Sequence, residues 1–374
     1  MSEPRILLSA GEASGDLHGA ALAKALQQIY PAAELSGLAG PRMAEVGVRP
    51  IVEFDRLVVI GLAEVLSRLP FFLSLRRHIR RLLDQTRPDL VIPIDYPGFN
   101  LWLCGEAHAR GIPVLYYIPP QLWAWRQARA QILAEKANCV AVVFPQEEPF
   151  LREFGVKAVF VGHPLLDLPE RQQTPREAIA ALGADPERPI LGLLPGSRPQ
   201  EVRRLLAPFL AAAHQVVRRR PDVQVIVSAA PHVPAGLYEA SDYSVAHDSA
   251  QVLGAATAVL TKSGTSTVEA ALNRTPLVIA YRVHRLSYLL ARRLVRVDSI
   301  GMVNILAGRR IAPEFVQRLP ADEMAEALLP LLDRGSEQRR AQLEALEGVR
   351  EQLGEPGARE RVAKLAAGLL EGRD

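Results

Sequence analysis

The chain has 374 residues, enough for two ordinary domains with separate cores. A hydrophobic share of 49% and a charged share of 23% describe a folded globular protein and exclude a disordered one. A formal net charge of +3 is too small to mark a nucleic-acid binder, so no nucleic-acid partner is expected.

The N-terminal "MSEPRILLSAGEASGD" breaks its short apolar run at once with Gly, Glu and Asp, which is not the pattern of a signal peptide. Arg5–Ser9 reads as a strand, followed by a Gly-rich turn and a helix over Leu17–Gln28. Gly11, Gly15 and Gly19 are four apart, which does not fit the G-x-G-x-x-G spacing of a dinucleotide site. Glu12, Asp16 and His18 face the rim of this turn, either to bind or to hold the turn.

Residues 56–83 place Leu62, Val65, Leu66 and Leu69 at helical spacing, then crowd Phe71, Phe72, Leu73 and Leu75 before Arg76, Arg77, His78, Arg80 and Arg81. Apolar residues with a basic flank suit a helix in a membrane interface or an acyl-chain pocket; packing on the protein's own sheet is the alternative. No apolar run is long enough to span a bilayer.

In "DLVIPIDYPGFN", Leu90–Ile94 reads as a strand and Asp95 falls at its carboxyl end. A carboxylate there suits a general base; the competing reading is an Asp that holds its own turn. Cys104 and Cys139 have no metal-ligand spacing and cannot form a disulfide framework, so a reducing, cytoplasmic setting is expected. Trp123, Trp125, Arg126 and Arg129 read as packing rather than a base-stacking platform. Further strands are expected at Val114–Tyr117, Cys139–Phe144 and Ala158–Val161, with His163 in a structural turn.

After the charged, Pro-containing stretch "LDLPERQQTPREAIAALGADPERP", the strand–turn–helix pattern starts again at residue 189. Strands are expected at Ile190–Leu194, Val223–Val227, Ala258–Leu260 and Leu277–Tyr281, with a helix over Gln200–Arg219. In "LLPGSRPQEV", Ser197 and Gln200 fit a capping box. Arg198 is a cation beside a helix N-terminus, which an anion between them would justify; its planar donors suit a diphosphate, and an Arg pointing into water is the alternative. In "TKSGTSTVEAAL", Ser263, Gly264 and Thr265 follow a strand where a phosphate could meet a helix N-terminus. Glu269 could bind a ribose through its hydroxyls, or complete a capping box with Ser266. The alternation of strands and helices defines an α/β chain.

Together, "AGEASGDLHGA", "AGPRM", "IDYPGFN", "WAWR", "FVGHPLLD", "LLPGSR", "SGTSTVEAAL" and "VNILAGRRIAPEFVQ" resemble the lipid-A-disaccharide synthase family in motif and order, from residue 10 to about 317. The resemblance implies an inverting, metal-independent glycosyltransferase of GT-B architecture, with two Rossmann-like domains facing across a cleft and no cofactor. The implied substrates are UDP-2,3-diacylglucosamine and 2,3-diacylglucosamine 1-phosphate, joined through the acceptor's 6-hydroxyl into a β-1,6 disaccharide with release of UDP. By the resemblance, Asp95 matches the family's essential aspartate and Arg198 its essential arginine. Ser263, Gly264, Thr265, Glu269 and Asn304 fall where the family holds UDP; Glu12 and Ser197, in the Gly-rich turns of the two halves, are the further substrate-binding candidates. Gly98 stands where the family usually has an acidic residue, and Met302-Val303 where Leu-Pro is usual.

The expected domains are 1–165 for acceptor and membrane, 166–340 for UDP-sugar, and a helical 341–374. That last segment either returns to the first domain or exchanges between the subunits of a homodimer. The expected location is cytoplasmic, peripheral to the inner membrane. Two rivals stay open: a UDP-N-acetylglucosamine 2-epimerase-like enzyme, and a non-catalytic nucleotide-sugar or lipid-binding protein.

Overall fold

The computed structural model describes residues 3–54, 69–123, 127–168, 174–231, 233–283 and 299–372. The first half of the amphipathic segment, with Leu62, Val65 and Leu66, lies outside the described residues, as do Trp125 and Arg126. The chain divides into two compact units, Met1–Asp167 with Leu353–Asp374, and Leu168–Gln352.

The first unit is built on a seven-stranded sheet: β1 (Arg5–Ala10), β2 (Glu34–Leu38), β3 (Arg49–Pro50), β4 (Leu90–Ile94), β5 (Leu115–Tyr117), β6 (Cys139–Val142) and β7 (Ala158–Phe160). Its order is β3-β2-β1-β4-β5-β6-β7, and every pairing is parallel. Parallel strands are covered on both faces, which is why β4 reads as an unbroken apolar run and is buried throughout. Pro93 lies within it. In the β4–β5 ladder Val91 N–H donates to Pro113 and Asp95 N–H to Tyr117; Pro93, midway between, has no N–H to give.

The second unit repeats the design with β8 (Ile190–Leu194), β9 (Gln224–Ser228), β10 (Ser244–Ala246), β11 (Ala258–Lys262), β12 (Leu277–Tyr281) and β13 (Glu314–Val316). The order is β10-β9-β8-β11-β12-β13, again all parallel. The long helix Pro199–Arg219 buries Val202, Leu205, Leu206, Phe209, Ala213 and Val216, the 3–4 spacing of a stripe laid on a sheet.

The described part of the amphipathic segment forms the helix Leu69–Thr86. Leu75, Ile79 and Leu83 are buried in the core of the first unit, so this half packs on its own sheet. Arg76 and Arg80 lie over the Trp102 ring at 4.9 and 5.7 Å, and Arg80 pairs with Glu106 at 2.7 Å. Leu73 is 44% exposed.

The C-terminal helices do not form one body. Glu337–Gln352 stays with the second unit, where the buried Gln342 amide bonds both N–H and C=O of Leu277. Ala358–Leu370 belongs to the first unit. There the motif "FVGHPLLD" receives it: His163 N–H donates to Leu353 C=O at 2.8 Å, and Asp167 accepts from Gly357 N–H at 2.5 Å. His163 is therefore a turn residue, 5% exposed, with Nδ1 accepting from Leu165 N–H.

Candidate active site at two switch points

In each sheet the strand order reverses at one place, between β1 and β4 and between β8 and β11. Helices after such a pair diverge and leave a crevice at the carboxyl ends, where open α/β sheets bind ligands.

In the first unit the residues after β1 and β4 are Gly11-Glu12 and Asp95-Tyr96. Asp95 and Tyr96 both adopt left-handed backbone, with φ of 49° and 50°. Such non-glycine residues cost about 1–3 kcal/mol each and persist only where their surroundings dictate them. Here they do. Asp95 N–H donates to Tyr117 C=O at 3.0 Å, while its C=O accepts from Asn100 Nδ2 at 2.7 Å and from the Tyr116 hydroxyl at 2.9 Å. Asn100 is fully buried and also bonds the Ser9 carbonyl and hydroxyl, tying β1 to the β4 turn. The Asp95 side chain is half-buried on this fixed base.

Glu12 is the N-cap residue of Ala13–Ile29. Burial, and then the Glu12 charge, push the Tyr96 hydroxyl up to about 12, so Glu12, Tyr96 and Asp95 gather at one strand end. Gly11 is required because a Cβ there would lie 2.3 Å from the Tyr96 ring. Asp16 holds structure instead: its carboxylate accepts from Gly40, Arg42 and Met43 N–H and caps Pro41–Glu45, linking "SGD" to "AGPRM". His18 keeps a partly exposed edge, yet its ring is dehydrated enough that burial, aided by the Arg42 charge, lowers its pKa to about 4.

In the second unit the turn after β8 differs from the expected cap. Pro199 takes the first helical position, so Arg198 is the N-cap and the third position is Glu201, not Gln200. The Glu201 carboxylate folds back over the turn and accepts from Ser197 N–H at 3.0 Å and Arg198 N–H at 3.3 Å. Gly196, with φ of 135°, leaves room for it. Arg198 presents a half-exposed guanidinium 3.9 Å from Glu201.

After β11 the helix Thr265–Leu272 has Gly264 as its N-cap, with φ of 143°. Ser266 forms no capping box: its hydroxyl donates to Lys262 C=O at 3.1 Å, and Glu269, fifth in the helix, is too far along to reach the cap. Ser263 donates to Ile300 C=O at 2.6 Å. Asn304 is 2% exposed and saturated: Nδ2 donates to Ala312 C=O and the Glu314 carboxylate, and Oδ1 accepts from Ile311 and Ala312 N–H. Its side chain has no donor or acceptor left for a nucleotide, because the loop behind it uses all four. Glu314 in turn accepts from Ile300 and Gly301 N–H.

The sequence reading missed Glu201, Tyr96 and Asn100. The signal for Glu201 is Pro199, which fixes the helix start and hence the third position. Among the described residues no group of three or more His, Cys, Asp and Glu side chains could hold a metal ion, and no helix is long and apolar enough to cross a membrane.

Two all-parallel sheets of Rossmann order, each with polar groups gathered at its reversal, define an α/β protein of the GT-B fold. In solved structures the chain resembles a UDP-GlcNAc 2-epimerase from Neisseria meningitidis bound to UDP-GlcNAc, with TM-score 0.64 and 10% identity over 98% of this chain and 100% of that one. It also resembles a calicheamicin glycosyltransferase, with TM-score 0.60 and 15% identity over 100% and 99%. These likenesses are of fold alone. A family model described as lipid-A-disaccharide synthetase matches residues 6–367. The chain is 41% identical to a lipid-A-disaccharide synthase of Anaeromyxobacter dehalogenans over 98% of its length and 97% of the relative's. It is 39% identical to one of Nitrosococcus oceani over 100% and 98%. The chain belongs to the lipid-A-disaccharide synthetase family, glycosyltransferases of lipid A biosynthesis.

Proposed function

We propose that the chain transfers 2,3-diacylglucosamine from its UDP donor to the 6-hydroxyl of 2,3-diacylglucosamine 1-phosphate. The acceptor O6 bonds to the anomeric carbon as the bond from that carbon to the diphosphate breaks. The O6 proton passes to Asp95, configuration inverts, and UDP leaves. The observation that carries this reading is the over-determined left-handed turn at Asp95, which spends backbone strain to fix one carboxylate at a switch point.

Arg198 neutralises the charge that grows on the leaving diphosphate, with Ser263, Gly264 and Thr265 offering backbone donors at the neighbouring helix start. Ser197 lies in the Arg198 turn. Glu269 takes the ribose hydroxyls, and Glu12 lines the acceptor side. Asn304 serves indirectly, holding Glu314 and through it Ile300 and Gly301, and Ser263 also bonds the Ile300 carbonyl.

Both substrates carry acyl chains, so the enzyme works at the cytoplasmic face of the inner membrane. Exposed Leu73, with Arg77 and Arg81 on exposed positions of the same helix, supports a surface attachment there. Mass spectrometry of products from the two acylated substrates tests the reading. The expected product is the β-1,6 disaccharide 1-phosphate; epimerised sugar from UDP-N-acetylglucosamine alone would replace the reading with the epimerase, and UDP binding without transfer would reduce it to a binding protein.

A further inference from the structure

Glu147 opens the helix Glu147–Glu153, which follows the turn at the carboxyl end of β6. Its side chain is 2% exposed, and burial pushes its pKa up to about 8. A dry carboxyl group is costly and persists where the protein supplies its partners. One oxygen accepts from Val143 N–H at 3.3 Å and from Phe144 N–H at 3.1 Å, which closes the turn after β6. The third group that favours its charge is the indole N–H of Trp123, from the loop after β5. Trp123 Nε1 is sealed from water and has no aligned acceptor, so the Glu147 carboxyl is the polar group it faces.

That loop starts beside Asp95. Asp95 N–H donates to Tyr117 C=O, and the chain leaves β5 at the next residue, Ile118. Ile118 is left-handed, with φ of 57°, and its N–H donates to Ala141 C=O of β6 at 3.1 Å. Such backbone is strained for a β-branched residue and needs outside support, as the Asp95 turn does. At the other end of the loop Leu122 is buried and Trp123 meets the β6 turn through Glu147. Trp123 therefore packs, as the sequence suggests, and its polar edge also decides where the loop lies. Both ends of the loop are tied to β6, and its first residue adjoins the group that holds Asp95.

We propose that Glu147 is a positioning residue for acceptor binding, holding the loop from Ile118 to Trp123 at the strand end beside Asp95. This rests on the reading of the Asp95 turn as the place where the acceptor hydroxyl loses its proton. Glu147 touches no reacting atom and acts through the Trp123 indole.

Glu147→Gln separates the two duties of the carboxyl group. Its amide oxygen still accepts from the β6 turn, while its NH2 cannot accept from the indole. Trp123→Phe removes the N–H from the other side. Steady-state transfer to 2,3-diacylglucosamine 1-phosphate, with calorimetric UDP binding to the same preparations, tests the proposal. Each variant is expected to raise the acceptor KM about tenfold, with kcat within about threefold and UDP affinity unchanged. The double variant should be no worse than either single one, since both break one contact. An unchanged acceptor KM in both variants, whatever their stability, would make the contact structural and overturn the proposal. So would losses that multiply in the double variant, or UDP affinity that falls along with acceptor binding. A wild type that binds UDP but transfers nothing to this acceptor would overturn the reading of Asp95, and the role of Glu147 with it.

Discussion

Asn100 Nδ2 reaches the Asp95 carbonyl at 2.7 Å and the Ser9 carbonyl at 3.0 Å, so one buried amide fixes the Asp95 turn to the strand beside it. Its Oδ1 accepts from the Ser9 hydroxyl at 2.6 Å. Replacing it with Ala leaves those groups without partners in a dry interior. Asn100→Ala is expected to cost about 2–4 kcal/mol in urea unfolding. Transfer activity should fall with kcat, because Asp95 loses its backbone anchor, while UDP affinity stays within about twofold of wild type. A stability loss with unchanged kcat would mean that the turn holds itself.

Asp95 and Arg198 should separate in kinetics. Asp95→Asn preserves shape and tolerates left-handed backbone, so it removes the proton acceptor alone; kcat is expected to fall about 10²–10⁴-fold with UDP affinity unchanged. Arg198→Ala should weaken UDP about tenfold or more as well as slowing transfer. Titration of UDP into each variant checks the split, and equal losses of affinity would contradict the assigned roles.

The central strands were legible because parallel strands covered on both faces read as apolar runs, and β1, β4, β8 and β12 carry that signature. Four strands were not. β2, β3, β10 and β13 lie at or next to the sheet edges, and "ELSGL", "RP", "SVA" and "EFV" are short or interrupted by polar residues and Gly, so they leave no apolar run. Asp95, Arg198 and the Ser263–Thr265 turn could be placed from sequence since strand ends are local features. What each polar side chain bonds to is not local. Asn304 is consumed by Ile311, Ala312 and Glu314, Ser263 by Ile300, and Asp16 by residues 40 to 43; such partners depend on how loops return, which no short motif encodes. The capping boxes failed for a simpler reason: the first was placed one residue before the true N-cap, Arg198, and the second two residues past the true N-cap, Gly264.

Asn304 supplies the third test. Because its amide satisfies four partners inside the protein, Asn304→Ala should behave as a stability variant, costing about 2–4 kcal/mol. Asn304→Asp exchanges the two N–H donors of Nδ2 for one oxygen facing both Glu314 and the Ala312 carbonyl, and should cost at least as much. At a temperature where both variants remain folded, UDP affinity should fall only modestly. An affinity loss of about a hundredfold without a stability loss would identify Asn304 as a direct ligand.

Opening at mild acid is expected from His18. Its imidazole has a pKa of about 4 in the folded chain, against 6.5 for an ordinary histidine, chiefly because burial disfavours the charged ring and Arg42 adds repulsion. Between these values the unfolded chain binds the proton that the folded chain refuses. The stability associated with a neutral His18 is therefore complete above pH 6.5, declines as pH falls, and is gone below about pH 4. With allowance for its partly exposed edge, the loss is about 2 kcal/mol. Urea midpoints measured from pH 7 to pH 4 should drop for the wild type more steeply than for His18→Gln, which keeps a neutral polar group and has no proton to take up. Parallel curves for the two proteins would place the acid sensitivity outside His18.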